Sequence, residues 1–245
     1  MKSQSKTIVI TGASSGIGLA LAGAYLQRGD NVVANARNAE RLQQAAESLG
    51  SPDNFLTVAG DVADPATGVA LIQRAVERFG QVDVLINNAG IFNAKPFVEY
   101  TPDELEAMVN TNLKGFFYPS QAAARHMIER KAGHIINITA SIALQPNQSV
   151  PAVLPVLLKG GINQATKALA LELAPHNVQV AAVAPGIVDT PMYTKDMHGF
   201  LNSLQPAGRI ATTQEIVDAV LYLGDASFTT GIVLPVDGGM SSGKW

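Results

Sequence analysis

The stretch that most restricts the fold is residues 7–26, TIVITGASSGIGLALAGAYL. It opens on an apolar run, Thr7-Ile8-Val9-Ile10, and passes through the turn Gly12-Ala13-Ser14-Ser15-Gly16-Ile17-Gly18. It continues with Ile17, Leu21, Ala24 and Tyr25 at helical spacing. Strand, glycine turn and helix in that order make a phosphate cradle. Glycine lets backbone approach a pyrophosphate closely, and the helix start offers free N–H groups and the positive end of a dipole. The spacing is TGxxxGxG rather than the commoner GxGxxG. Such a turn also serves as a plain strand-to-helix connection, so the rest of the chain decides.

Apolar strand-like runs and helical patterns alternate along all 245 residues. Strands are read at residues 31–36 (NVVANA), 55–59, 82–86 (VDVLI), 134–139, 178–183 and 232–236. Helices are read at residues 39–49, 65–79, 101–130, 155–173 and 214–223. The fourth strand closes at Asn87-Asn88-Ala89-Gly90. Thr101 is the N-cap of the third of these helices, with Pro102 at its first position and Glu104 at its third, and a restart is expected near Asn112. No repeat, linker or composition break appears. Near-continuous apolar strands separated by helices predict a parallel sheet covered on both faces, in one doubly wound α/β domain spanning residues 1–245.

With 47% hydrophobic and 15% charged residues, the chain supports a large core and a sparsely charged surface, which favours oligomerisation. A net charge of −3 without any basic block argues against a nucleic-acid partner. The absence of cysteine excludes disulfides, thiolate catalysis and cysteine-held metals, and no other metal-ligand set is read. The opening residues MKSQSK lead straight into a strand, and no run of about 18 apolar residues occurs. A cytoplasmic protein without a membrane segment is expected.

In doubly wound sheets, ligands bind at the carboxyl ends of the strands. Those ends carry the glycine turn, Arg37, Asp61-Val62, Asn88-Ala89-Gly90, Thr139–Ser141 and Pro185–Thr190. His134 enters its strand from the opposite end, while His126 and His176 read as helix-surface residues. In order, the chain shows Thr11-Gly12-x-x-x-Gly16-x-Gly18, Asn87-Asn88-Ala89-Gly90, Asn112 in Asn-Leu-Lys-Gly, Ser141, Lys159, Pro185-Gly186 and Asp237-Gly238-Gly239. This ordered set resembles the classical short-chain dehydrogenase/reductase family over residues 6–239.

The resemblance implies a Rossmann-type parallel sheet of seven strands in the order 3-2-1-4-5-6-7, a substrate lid over about residues 191–208, and assembly as a homodimer or homotetramer. It implies pyrophosphate binding by Gly12, Ser14, Ser15, Gly16, Ile17 and Gly18, and adenine contact at Asp61 and Val62. Asn88, Ala89 and Gly90 would line the ribose. Pro185, Gly186, Val188 and Thr190 would reach the nicotinamide. Ala36 stands where NAD enzymes place an acidic residue, and Arg37 follows. A guanidinium attracts a ribose 2′-phosphate that a carboxylate would repel, so NADP(H) is favoured over NAD(H). Ser15 occupies a position where many NADP members carry a second base.

The family's catalytic set is Asn, Ser, Tyr and Lys, the last two as Tyr-x-x-x-Lys. The resemblance assigns Asn112, Ser141 and Lys159 to three of these roles, with Lys159 also holding the nicotinamide ribose. Asn110 and Thr139 are the competing positions for Asn112 and Ser141. Four residues before Lys159 stands Pro155, and no tyrosine occurs between Tyr118 and Tyr193. Ser141 and Pro155 keep the family's usual separation, so no insertion hides a tyrosine. Proline has no proton to give, and it is tolerated only in a first helical turn, which predicts a helix start at about residues 153–155.

Three functions remain open. One is an oxidoreductase acting on a hydrophobic carbonyl compound with another proton source: Lys159, Ser141, Tyr193 or His198. A second is a catalytically silent cofactor-binding protein or regulatory subunit. A third is a reductase of an activated C=C or C=N bond. Ile142 to Pro146, Val150 to Leu154, and Met192, Met197, Phe200 and Leu204 on the lid predict an apolar small-molecule pocket.

Overall fold

The computed structural model describes residues 5–243, so the expectation drawn from residues 1–4 lies outside it. Strands β1 (Thr7–Thr11), β2 (Asn31–Ala36), β3 (Phe55–Ala59), β4 (Val84–Asn87), β5 (Gly133–Ile138), β6 (Val178–Pro185) and β7 (Val233–Val236) form one sheet. The order is β3-β2-β1-β4-β5-β6-β7, and every pairing is parallel. Between them run α1 (Gly16–Gln27), α2 (Ala39–Ser48), α3 (Pro65–Phe79), α4 (Pro102–Met108), α5 (Gly115–Arg130), α6 (Val153–Leu173), α7 (His198–Ser203) and α8 (Thr213–Asp225).

Both faces of the sheet are buried, because successive side chains of a strand point to opposite sides. Ile8 and Ile10 of β1 pack with Leu21, Tyr25, Ile216 and Val220 on one face. Val9, between them, packs with Leu71, Leu85, Met127 and Ile135 on the other. This explains why the strands read as continuous apolar runs rather than alternating ones. Truncating a fully buried side chain here, such as Leu85 to alanine, costs about 2–5 kcal/mol.

Besides shifts of one or two residues at strand and helix ends, several features differ from the sequence reading. β4 begins at Val84, not at residue 82. The N–H of Val82 donates to His126 Nε2 at 3.1 Å, and its carbonyl accepts from Arg130, so Val82 is committed to α5 rather than to the ladder. His126 is thus a half-buried structural acceptor, not a surface residue; burial and Arg130 lower its pKa, keeping the ring neutral as an acceptor must be. The expected helix over residues 101–130 is α4 and α5 joined by a π-helical segment, Val109–Lys114. Its start is as expected: Thr101 and Glu104 form a capping box behind Pro102. The segment expected to form a lid contains a short helix, α7, that its apolar and polar mixture did not announce. His176 lies in a single 3-10 turn rather than on a helix.

Candidate functional site

One cavity of about 860 Å³ opens along the carboxyl ends of the strands. Its first half is shaped by two backbone loops held closely together. Thr11 ends β1, and its hydroxyl accepts from the N–H groups of Asn88 and Ala89 at 3.0 Å each. The Asn88 side chain returns the tie, donating to the carbonyls of Thr11 at 3.0 Å and Gly12 at 3.1 Å. The loops after β1 and β4 are therefore stapled together. Gly12 has φ +67°, and a Cβ there would stand 2.8 Å from the Ala89 Cα, so only glycine permits this approach. The first turn of α1 has neither a side-chain cap nor an acidic residue, leaving its N–H groups for an anion.

Of the residues assigned to the cofactor, Gly12, Ser14, Ser15, Gly16, Ile17, Arg37, Asp61, Val62, Asn88, Ala89, Gly90, Lys159, Pro185, Gly186, Val188 and Thr190 line this cavity. Gly18 does not. It is buried against the turn, where a Cβ would meet the Gly12 carbonyl oxygen and the Asn88 amide, so it seats α1 on the loop. Arg37 and Arg41 are both exposed at the mouth beyond β2, and neither has an ion-pair partner among the described residues. Arg41 was missed in the sequence. It sits in the first turn of α2, and the cap made by Asn38 to its N–H at 2.9 Å orients that turn.

Beneath the floor lies a buried polar chain that sequence reading also missed. Asn87 donates to Ser120 Oγ and to Asn137 Oδ1, each at 2.8 Å, and Asn137 donates to Thr166 Oγ1 at 3.0 Å. These bonds tie β4, β5, α5 and α6, so a shift in one moves the others.

Lys159 and Asn112 meet across Gly90. A Cβ at Gly90 would lie 2.9 Å from Asn112 Oδ1 and 3.3 Å from Lys159 Nζ, so glycine is the gap that admits them both. Lys159 Nζ donates to the Ile138 carbonyl at 2.8 Å, and burial alone lowers its pKa to about 8. Asn112 is buried in the π-helical segment and does not line the cavity. Its amide donates to the Ile91 carbonyl at 3.1 Å and its Oδ1 accepts from the Ile91 N–H at 3.2 Å, which fixes the loop just past Gly90. Asn110 has a buried Oδ1 without a partner and does not reach the cavity either.

Ser141 starts a 3-10 turn, is buried, and faces the cavity. Its hydroxyl meets only Met240 Sδ, at 3.9 Å, a weak acceptor that leaves the proton available. Thr139 instead spends its hydroxyl on the Val183 carbonyl at 3.3 Å. Met240 follows the Asp237-Gly238-Gly239 turn, which Asp237 shapes by accepting from the N–H groups of Gly239 and Ser241. Pro155 is buried in the cavity wall in the first turn of α6, which begins at Val153 as its sequence requires.

The second half of the cavity is apolar: Ile91, Ile142, Val150, Ile187, Met192 and Phe200 belong to it. Gln205 pins the end of the lid, bonding Ile187 through both its amide atoms and donating to the Arg209 carbonyl at 2.8 Å. Tyr193 lines the cavity, whereas His198 does not; its Nε2 lies 3.5 Å from Asp189 Oδ1. His134, at the far end of β5, faces the Ala226 carbonyl at 3.2 Å. No helix among the described residues is long and apolar enough to cross a membrane.

A doubly wound parallel sheet with a glycine-built anion cradle at its first strand defines the class of dinucleotide-binding α/β proteins. Within that class, residues 6–199 match the family described as short chain dehydrogenase, and the chain belongs to the short-chain dehydrogenase/reductase family of oxidoreductases. It is 34% identical to the 3-oxoacyl-[acyl-carrier-protein] reductase of Thermotoga maritima, over 98% of this chain and 99% of that one. Among solved structures it resembles ElxO with NADP bound, with a TM-score of 0.92 and 29% identity over 98% of this chain and 100% of the other. It also resembles the 3-ketoacyl-(acyl-carrier-protein) reductase of Brucella melitensis complexed with NADH, with a TM-score of 0.89 and 32% identity over 96% of this chain and 98% of the other.

Proposed function

We propose that the chain is an NADP(H)-dependent reductase of hydrophobic carbonyl compounds whose proton path has been rebuilt around the loss of the family's tyrosine. The observation that carries this reading is the single cavity that joins the glycine cradle to Ser141, Lys159 and the apolar lid. When bound, a reduced nicotinamide supplies a hydride. The residues fit such a cofactor: glycines that no side chain can replace, an uncapped helix start, and Lys159 beside Gly90.

Arg37 and Arg41 support the choice of NADP(H). Two guanidiniums without carboxylate partners at the end of β2 suit a 2′-phosphate and would gain little from a 2′-hydroxyl. Asp61 and Val62 stand for the adenine, and Pro185, Gly186, Val188 and Thr190 for the nicotinamide side. Ser141 holds the substrate oxygen, and Lys159 holds the ribose and lends its charge to the oxygen as negative charge develops there. Asn112 acts by fixing the loop past Gly90. The lid, about residues 191–208, closes an otherwise single domain over a substrate with a sizeable apolar body.

The same reading takes the protein as cytoplasmic and homo-oligomeric. Leu105, Leu113 and Phe117 on the α4–α5 face and Leu157 and Leu171 on α6 are large apolar side chains left exposed, as faces covered by a second copy would be. Pro155 favours one rival, a cofactor-binding protein without turnover.

Following NADPH consumption over a panel of aliphatic and aromatic ketones, with Lys159→Met in parallel, tests the proposal. A reductase consumes NADPH and Lys159→Met stops it. Binding without consumption on any ketone, together with activity gained by Pro155→Tyr, establishes the silent protein instead.

A further inference from the structure

We propose that Tyr193, carried on the lid, donates the proton to the substrate oxygen in place of the hydroxyl that Pro155 lacks. This rests on the reductase reading. Four other hydroxyl or amine groups border the substrate end of the cavity, and each is poorly suited. Thr139 donates to the Val183 carbonyl. Ser149 is exposed on the loop before α6. Ser141 is an aliphatic alcohol, too weak an acid to act as a final donor. Lys159 is anchored by its bond to the Ile138 carbonyl, beside Gly90 on the cofactor side.

Tyr193 differs on three counts. It lines the same cavity as Pro155, Ser141 and Lys159. Its hydroxyl forms no hydrogen bond with any described residue, although the ring is half-buried. Its backbone is held close to the cofactor side, since its N–H donates to the Thr190 carbonyl at 3.0 Å and Thr190 itself lines the cavity. A phenol carries its proton at neutral pH, and burial raises this one's pKa further. Placement on the lid would also make proton supply depend on lid closure over a substrate.

With a bound reduced nicotinamide supplying the hydride, the carbonyl carbon would gain a C–H bond and the C=O π pair would move to oxygen. That oxygen forms its O–H bond as the Tyr193 O–H bond breaks, leaving an alcohol and a phenolate. The phenolate recovers a proton from water at the mouth, where Met192 and Phe200 are exposed. Lys159 is then a charge partner for the oxygen and the phenolate rather than the donor.

The test uses Tyr193→Phe, which keeps the ring and its packing, and the double variant with Pro155→Tyr. On the ketone that the parent reduces fastest, Tyr193→Phe should lower kcat about 100-fold or more while changing the NADPH dissociation constant less than threefold. Adding Pro155→Tyr should restore at least tenfold of that loss, which a structural role for the phenol would not allow. A kcat within threefold of the parent overturns the assignment and leaves the reductase reading intact. A readout independent of turnover uses 3-fluorotyrosine-labelled protein, with the Tyr193 fluorine resonance assigned from Tyr193→Phe. Addition of NADP+ and 2-decanone together should shift that resonance beyond the effect of NADP+ alone. No further shift with the ketone overturns the proposal, whether or not any ketone is reduced.

Discussion

The two halves of the cavity are made of different material. The cofactor half is backbone, fixed by Thr11, Asn88 and glycines whose Cβ would collide. The substrate half is side chains, many of them on the lid, where Met192, Met197 and Phe200 stay exposed. A site made of backbone tolerates little change, because each altered contact breaks a ladder or a staple. A site made of side chains can carry proline at position 155 and keep its shape, because proline fits the first turn of α6. The contrast separates what binds from what reacts, and it makes the chemistry the part of this protein free to diverge.

The sharpest break of that contrast is in the backbone half. Gly18→Leu should abolish NADPH binding by fluorescence titration, because the new Cβ would stand where the Gly12 carbonyl oxygen and the Asn88 amide are. Retained binding would mean the cradle is looser than described. Next, Ser141→Ala should lower kcat about 10- to 100-fold with an unchanged NADPH dissociation constant, since its hydroxyl meets only Met240 among the described residues and borders the cavity. An equal loss of cofactor affinity would merge the two halves.

Arg37→Glu should weaken NADPH binding about 10- to 100-fold while leaving NADH within a fewfold, as a carboxylate repels a 2′-phosphate. The double change with Arg41→Ala should exceed the single one.

The smallest effect is on stability. Burial lowers the Lys159 pKa to about 8 from 10.5, so folding disfavours its charged form. Below about pH 8 both the folded and the unfolded chain hold the proton, and that cost is fully present. Between about pH 8 and 10.5 the unfolded state holds more protons, so stability rises with pH. Lys159→Met should therefore raise Tm by ~2–4 °C at pH 7, a gain that shrinks as pH climbs toward 10. A gain independent of pH would place the effect in packing.

The fold was legible because its signals are local and redundant. Apolar runs set the strands, and Thr101-Pro102-x-Glu104 marked a helix start that the capping box bears out. The lining at the strand ends was legible too, whereas Ala143 to Pro146 and Ala152 to Leu154, expected in the apolar pocket, do not border the cavity. What escaped were residues whose role depends on contacts distant in sequence. Arg41 borders the cavity from the first turn of α2, which Asn38 caps, and Val82 leaves the β4 ladder because His126 and Arg130 reach it from α5. Asn87, Ser120, Asn137 and Thr166 come from four elements and share no pattern. Asn112 could be picked from its neighbours in sequence, but not its grip on Ile91.

The most direct measurement is calorimetric titration of NADPH into the parent and into Pro155→Tyr. If the binding half stands apart from the reacting half, the two proteins bind NADPH with dissociation constants within threefold of each other, and only their turnover differs. Absence of NADPH binding in the parent, or its appearance only in Pro155→Tyr, would contradict that separation.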